Sequence, residues 1–386
     1  MTNILAPYRI PIFERMAESF DILVLHSSLE ANRASWKHLA SHVARCRTKR
    51  SWGITVPLRY RTGKWVYDHR YLHINPGFFM DLVREKPDAV ISGEMGFRTF
   101  AALLYARLFR KPLWVLCEDT PHAQRHAPWW KRAIRRWFAR RNVRWISHGV
   151  LSTGYLRSLG VAGEGIVQVQ NCVDESRFGS QGPARFTLSP RPVVLSVGRL
   201  VSLKGFDALF RAAARVQSAG HTFSLLVVGE GPEESNLRRL AGDLGLRNVH
   251  FRGNHAPEVM DQVYRSGDIF VFPTREDVWG LAVCEALLCG LPVLCSIHAG
   301  CAPDIVPREN QFDPDNLAEF EAVLTRAIAG SVAPADCSCL WKICDVADAI
   351  VNDVWTVLQV RRRGSGHCVD ARRIAGSVPA KTFGAE

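Results

Sequence analysis

The sequence predicts a two-domain α/β protein built on parallel, doubly wound sheets. Three observations carry that expectation. The chain has 386 residues, and a domain takes roughly one to two hundred. Beyond residue 192, short valine- and leucine-rich runs alternate with amphipathic helices across glycine turns, the pattern of a parallel sheet covered on both faces. Residues 1–175 repeat the alternation less cleanly, and an interval with two glycines and three prolines, 176–192, separates the halves.

In the first half a helix at 10–19 precedes a short apolar strand at 22–25. Residues 45–70 show no clear period and read as a long basic excursion. A helix at 77–86 leads to a strand at 89–92, then a helix at 100–108 and an apolar strand at 113–117. A basic helix follows at 129–141, with strands at 149–151 and 167–170. In the second half, Gly198 closes a strand at 193–197, and a helix at 206–216 ends near Gly220. A buried strand at 223–228 is closed by Gly229-Glu230-Gly231-Pro232. Glu234 and Arg238, four apart, support a helix at 233–244. Short strands at 249–251 and 269–272 flank a helix at 257–264. Gly290 stops a helix at 279–289, a strand follows at 292–295, and a helix at 317–329 completes the set. The expected division is an N-terminal domain over 1–175, a linker over 176–192, a C-terminal domain over 193–345 and a helix over 346–360. The basic tail over 361–386 has no sustained apolar period and is expected to be disordered.

Composition narrows the class. No apolar run approaches the roughly 18 residues of a membrane span, and the most apolar stretch, 100–117, carries Arg107, Arg110 and Lys111. No basic segment leads into an apolar run at the N-terminus, so a cytoplasmic protein is expected. The eleven cysteines include no C-x-x-C and several fall inside apolar patterns. They read as free thiols in a reducing compartment rather than as disulfides or a zinc site. Residues 1–180 hold 28 basic and 14 acidic residues against 21 and 23 in the remainder. A basic half joined to a near-neutral half expects an anionic partner for the first.

Two constellations could carry chemistry. Val197-Gly198-Arg199-Leu200 is followed by Lys204-Gly205. A strand ending in glycine lets a ligand approach the backbone, and two cations beyond it suit a diphosphate. The spacing is not that of a P-loop, and two solvated cations on an ordinary turn would look the same. The second runs from Thr274 to Glu285, with Asp277 at the mouth of a helix and Glu285 along it. Eight helical residues separate their backbones by roughly 12 Å, about the reach from a ribose to a sugar on its β-phosphate. The helix N-terminus between them favours an anion. As plain structure, Asp277 would be an N-cap.

Together these strings, with Val228-Gly229-Glu230-Gly231-Pro232, Phe251-x-Gly253, Phe272-Pro273-Thr274-x2-Asp277-x2-Gly280-Leu281-x3-Glu285-Ala286 and Gly290-Leu291-Pro292-Val293, resemble the retaining nucleotide-sugar glycosyltransferases of family four. The resemblance is firm over residues 193–301 and weaker at Asn3–Arg9 and Pro87–Val90. It implies the GT-B architecture, two Rossmann-like domains facing across a cleft. It implies that Arg199 and Lys204 bind the donor phosphates, that Glu285 holds the ribose and that Asp277, where glutamate is commoner, stands by the donor sugar. Gly198, Gly280 and Leu281 would offer backbone to phosphate or hexose. It also implies a catalytic-side residue after an N-domain strand, for which Glu118, Asp119 and His122 are the candidates. Against that resemblance, a chain reading Met1-Thr2-Asn3-Ile4-Leu5 at its start is expected to lack most of the family's opening strand.

Between Arg125 and Arg144 stand eight basic residues, no acidic one, and the aromatics Trp129, Trp130, Trp137 and Phe138. A helix over 129–141 would set indoles at headgroup depth and cations on anionic lipid; alternatively, its aromatic edge packs on the sheet. No nucleic-acid module is present, so nucleic acid is not an expected partner. Asp313-Pro314-Asp315 resembles a D-x-D metal motif, but N-capping accounts for it, and no essential metal or cofactor is expected. The resulting expectation is a cytoplasmic enzyme, peripheral on the inner face of the plasma membrane. It would move a sugar from a UDP- or GDP-sugar to a glycan or lipid-linked acceptor with retention, in polysaccharide, lipopolysaccharide or glycolipid biosynthesis. The alternatives are a sugar-nucleotide epimerase or hydrolase, and a non-catalytic scaffold.

Overall fold

The computed structural model describes residues 1–3, 5–27, 43–58, 61–62, 65–66, 70–179, 181–332 and 337–364. The N-terminal domain begins with α1 (Ile10–Met16), β1 (Leu23–His26) and β2 (Arg47–Arg50). Next come β3 (Ile54–Leu58), β4 (Arg61–Thr62), β5 (Trp65–Val66) and β6 (Arg70–Ile74), then α2 (Gly77–Glu85), β7 (Val90–Gly93) and α3 (Phe97–Leu108). It closes with β8 (Leu113–Cys117), α4 (Trp129–Ala139), β9 (Arg144–His148), α5 (Gly149–Ser158) and β10 (Ile166–Val169).

Strands β10-β9-β8-β7 form a parallel sheet in that order, and β1 pairs with β2 in parallel. Residues 1–3 lie between the two groups. Met1 N donates to Ile91 O at 2.7 Å and Gly93 N to Met1 O at 3.0 Å. On the other side Thr2 N donates to Leu25 O at 2.9 Å and Ser27 N to Asn3 O at 3.0 Å. The slot expected for an opening strand is thus spanned by a short extended segment that joins β1 to β7.

The C-terminal domain comprises β11 (Val193–Val197), α6 (Phe206–Ser218), β12 (Ser224–Val228), α7 (Glu234–Asp243), β13 (Val249–Phe251), α8 (Met260–Tyr264) and β14 (Ile269–Phe272). It continues through α9 (Leu281–Leu288), β15 (Val293–Ser296), α10 (Ala302–Ile305), β16 (Gln311–Phe312) and α11 (Leu317–Ile328). Its sheet runs β13-β12-β11-β14-β15-β16, all parallel, so the strand order reverses beside β11. A doubly wound sheet opens its ligand crevice at that reversal. One face is covered by Val283 and Leu287 of α9, the other by Phe210 of α6 and Phe320 of α11. The inner strands β11, β12, β14 and β15 are buried almost throughout, which is why they read as short, mostly apolar runs.

The last helix, α12 (Ile343–Gly364), crosses back to the N-terminal domain. Its Val346, Ile350 and Val354 pack with Ile12, Met16, Trp114 and Ile146. Asp353 accepts hydrogen bonds from Trp114 Nε1 at 2.7 Å and Arg144 Nε at 2.8 Å. The two chain crossings lie together, because Gln170 Nε2 donates to Cys339 O and Gln170 Oε1 accepts from Trp341 N, each at 3.0 Å. No helix among the described residues is long and apolar enough to cross a membrane. Their ten cysteines are free thiols.

Three expectations need correction. Residues 149–151 open α5 instead of forming a strand. The strand is Arg144–His148, whose polar ends hide it: Arg144 is drawn to Asp353, and Ser147 bonds Thr153 at 2.7 Å. Among the described residues of 45–70, the expected loop or excursion contains regular strands: β2 joins β1, and β3 pairs with β6 as an antiparallel ribbon. The terminal helix starts three residues earlier than expected and runs four further, to Gly364; the rest of the expected tail, 365–386, lies outside the described residues.

Candidate active site

The site is assembled from loops at the C-terminal ends of the strands. Gly229, at φ +133°, lets the loop after β12 touch the loop after β11: a Cβ there would stand 2.0 Å from Gly198 O. Gly198 N donates to Val228 O at 3.0 Å, and Arg199 follows, exposed. A 3-10 turn, Ser202–Lys204, ends at Gly205 with φ +68°, where a Cβ would stand 1.9 Å from Pro273 O. Only glycine permits that approach. It sets Lys204 against the loop after β14, where its ammonium pairs with Asp277 Oδ2 and stands 5.4 Å from the Phe272 ring centre.

Asp277 is fixed from two sides. Its N–H donates to His298 O at 3.3 Å, and its Oδ1 accepts from Trp279 N at 3.1 Å. Gly280, at φ +108°, turns the chain into α9, so Leu281 is the first residue of a helix whose free N–H groups face the loop. Glu285 lies one turn further in, where Tyr264 Oη donates to its Oε2 at 2.6 Å. Burial raises the Glu285 carboxyl to about 7 against the opposing effect of that hydrogen bond. Lys204 and Asp277 therefore meet beside the N-terminus of α9, and the Glu285 carboxyl stands one turn inside it.

Across from this surface stand the ends of β8 and β9. The three adjacent candidates diverge. Glu118 pairs with the Arg9 guanidinium and stands 3.2 Å from His148 Nδ1. Burial would raise its carboxyl, but the Arg9 charge and the His148 imidazole hold it down at about 2. Asp119 turns away toward Arg135 Nη2, at 2.7 Å, and Gln124 Nε2, at 2.6 Å. Burial raises its carboxyl despite Arg135. His122 reaches over the cleft: its ring stacks on His298 at 3.8 Å, and its Nε2 donates to Arg275 O at 3.0 Å. Burial, with His298 and Arg125 nearby, lowers His122 to about 4.

Further contacts close the cleft. Arg125 Nη1 meets Glu276 Oε2 at 3.1 Å, and Val150 N donates to Asp304 Oδ2 at 3.1 Å. Burial raises Asp304 to about 6, against the hydrogen bond from Val150. Arg9, His148, Tyr264 and Asp304 were not singled out from the sequence. Arg9 sits in a string that was, and His148 was obscured by the misplaced strand beside it. Tyr264, 21 residues before Glu285, gives no signal in spacing. Asp313 and Asp315 are engaged within the chain: Asp315 accepts from Arg275 Nε at 2.8 Å, and Asp313 stands 3.5 Å from His298 Nε2. Among the described residues no three His, Cys, Asp or Glu converge to hold a metal.

Comparison with known proteins bears on this arrangement. Residues 184–337 match the family described as Glycosyl transferases group 1. The sulfoquinovosyl transferase SQD2 of Arabidopsis thaliana is 26% identical over 296 residues, which cover 68% of this chain and 55% of that protein. The GDP-mannose-dependent monoacylated alpha-(1-6)-phosphatidylinositol monomannoside mannosyltransferase of Corynebacterium glutamicum is 34% identical over 167 residues, 39% of this chain and 44% of its own. The matches thus span about half the length of these relatives. The Anabaena protein Alr3699/HepE, solved with UDP and glucose, superimposes with a TM-score of 0.63 over 94% of this chain and 97% of its own, at 17% identity. That likeness is one of fold, and the fold is GT-B.

Proposed function

From the match of residues 184–337 to the glycosyl transferases group 1 family, we propose that this protein transfers a sugar from a UDP- or GDP-sugar to a hydroxyl of a lipid-linked or glycan acceptor, with retention. The observation that carries the proposal is the Lys204–Asp277 pair at the mouth of α9, with Glu285 behind it on Tyr264. An incoming diphosphate competes for Lys204 and for the helix N-terminus, which leaves Asp277 to turn toward the donor sugar. Arg199 adds a second cation, and Glu285 accepts from the ribose hydroxyls. As the glycosidic bond breaks, charge gathers on the departing phosphate, and these fixed donors stabilise it. The acceptor enters from the N-terminal side, near Glu118, His148 and His122, and closure of the cleft keeps water from the donor.

The acceptor class is inferred from the basic half of the chain and from α4. Trp129 is 81% exposed, Trp130, Ile134 and Trp137 are exposed beside it, and Arg132 and Arg136 of the helix and Arg140 just after it are exposed as well. Such a face suits anionic lipid at a cytoplasmic membrane surface. The names of the Arabidopsis and Corynebacterium relatives, one a sulfoquinovosyl transferase and one acting on a phosphatidylinositol mannoside, support a glycolipid product.

Saturation-transfer NMR against UDP, GDP, their common sugar conjugates and NAD tests the donor site. Binding of one nucleoside diphosphate series, lost in Glu285→Ala, is expected. A folded protein that binds none of them would overturn the proposal in favour of a non-catalytic role.

A further inference from the structure

The β3–β6 ribbon is built with an uncovered apolar face. Ile54 pairs with Ile74 and Val56 with Leu72, so all four side chains stand on one side, while Thr55 and His73 stand on the other. All four are exposed, Ile54 at 63%, and Trp52 at the base reaches 71%. The base itself is tightly held. A Cβ on Gly53 would meet Asn75 at 2.4 Å, one on Gly77 would meet the Trp52 backbone at 2.6 Å, and Ser51 Oγ donates to Asp81 at 2.8 Å. A two-stranded ribbon has no second layer of its own to cover such a face, and contiguous exposed apolar surface of this kind marks an interaction site.

Its neighbours extend the apolar surface. β6 packs beside α3, and α3 presents a stripe of exposed residues, Phe97, Phe100, Leu104 and Leu108. Phe100 stacks on Trp137 of α4 with ring centres 6.2 Å apart. The ribbon face, the α3 stripe and the α4 indoles thus belong to connected elements. The ribbon segment itself, residues 52–74, contains four Lys or Arg and a single acidic residue, whereas Arg45, Arg47 and Lys49 before it are paired with carboxylates of the domain. A second copy of this chain would bring a like-charged face against it, whereas an anionic lipid surface complements both its charge and its apolar side chains. At its far end, strand β5 lies beside the turn Ser202–Lys204.

We propose that the β3–β6 ribbon is a lipid-docking arm, whose apolar face enters an anionic bilayer and so holds the donor loop at the membrane surface. This deepens the membrane part of the proposed function and rests on it. The consequence is geometric: an acceptor headgroup can meet the cleft without its lipid leaving the bilayer.

The test uses the full chain with vesicles of dioleoylphosphatidylglycerol and dioleoylphosphatidylcholine, and with phosphatidylcholine vesicles as control. Wild type should co-float with the anionic vesicles, and Ile54→Ser with Ile74→Ser should weaken binding at least about tenfold with nucleotide binding unchanged. Amide hydrogen exchange of wild type gives a second readout that needs no variant: amides in β3 and β6 should slow only when anionic vesicles are added. A ribbon variant that floats like wild type, or protection confined to α4, overturns the arm and leaves α4 docking standing. Wild type that binds no vesicle overturns both, while the donor site is judged separately by nucleotide binding. A wild-type dimer in solution that the ribbon variant abolishes assigns the face to a second copy and also overturns it.

Discussion

The phenol of Tyr264 donates a hydrogen bond to Oε2 of Glu285 at 2.6 Å. The two residues come from different helices, α8 and α9, and Tyr264 is fully buried. The phenol therefore orients the carboxyl that is proposed to hold the ribose. Tyr264→Phe removes the donor and leaves the ring's packing in place. Net loss of one hydrogen bond to a charged group costs about 1.5–3 kcal/mol. Titration calorimetry should show nucleotide affinity falling by roughly one to two orders of magnitude, with KM rising more than kcat falls. Unchanged affinity in a folded variant would remove Tyr264 from the site.

Glu285 also gives the site a pH dependence. Its carboxyl is raised by burial to about 7, so below that pH the folded protein holds a proton there. Ribose hydroxyls donate best to the carboxylate, so binding favours loss of the proton. Affinity for the bound nucleotide sugar should rise as pH increases from 6 to 8, around the value of about 7, and then level off. Glu285→Gln should bind more weakly and show a flat profile. The stability linkage has the opposite sense: between the ordinary 4.5 and about 7 the folded state holds a proton the unfolded state lacks. This carboxyl's contribution to stability therefore falls as pH rises through that window. An affinity that falls toward pH 8 would contradict the assignment.

The Lys204–Asp277 pair predicts a split between two variants. Lys204→Ala removes the cation proposed to meet the diphosphate as it departs, and should lower kcat/KM by about 10²- to 10³-fold. Asp277→Asn keeps the shape but loses the negative charge beside Lys204. It should bind nucleotide diphosphate as tightly as wild type, or more so, and lose turnover. Near-wild-type turnover in Lys204→Ala or Arg199→Ala would sink the phosphate role.

Metal dependence is open to a direct check. The one D-x-D string, Asp313-Pro314-Asp315, directs its carboxylates to Arg275 and His298. With Arg199, Lys204 and the α9 N-terminus proposed for the phosphates, turnover should be unchanged by excess EDTA. Activity that disappears with EDTA and returns with magnesium or manganese would show that a divalent ion shares the work.

The C-terminal domain was far more legible in the sequence than the N-terminal one, for physical reasons. Strands 193–197 and 269–272 are buried along most of their length, so all their residues but Ser196 are apolar, and Gly198 and Pro273 mark their ends. β9 is hidden because its polar Arg144 and Ser147 find partners within the fold, at Asp353 and Thr153. The ribbon escaped because its alternating Ile54 and Val56 stand among basic residues. At the site, spacing within one loop was readable, as from Asp277 to Glu285. Pairings that topology alone creates were not. Nothing local links Arg9 to Glu118, 109 residues apart, or Tyr264 to Glu285.

That long-range pair yields the last prediction. Arg9 and Glu118 have side chains only 17% and 22% exposed, with His148 beside them. They join the segment before α1 to the end of β8, next to the side of the cleft proposed to take the acceptor. Glu118→Gln would leave the guanidinium largely buried without its counter-charge, a change that costs about 3 kcal/mol. For a domain of this size, scanning calorimetry should record a drop in Tm of about 6–12 °C at neutral pH. The sign of the pH effect follows from the depressed carboxyl. Glu118 lies at about 2 in the folded protein against an ordinary 4.5, so its contribution is complete above 4.5 and is lost as pH falls through about 2. The stability gap between wild type and Glu118→Gln should therefore narrow on acidification below 4.5. A variant that keeps wild-type Tm but loses turnover would instead make Glu118 a group that acts on the acceptor, and the Arg9 pair incidental to stability.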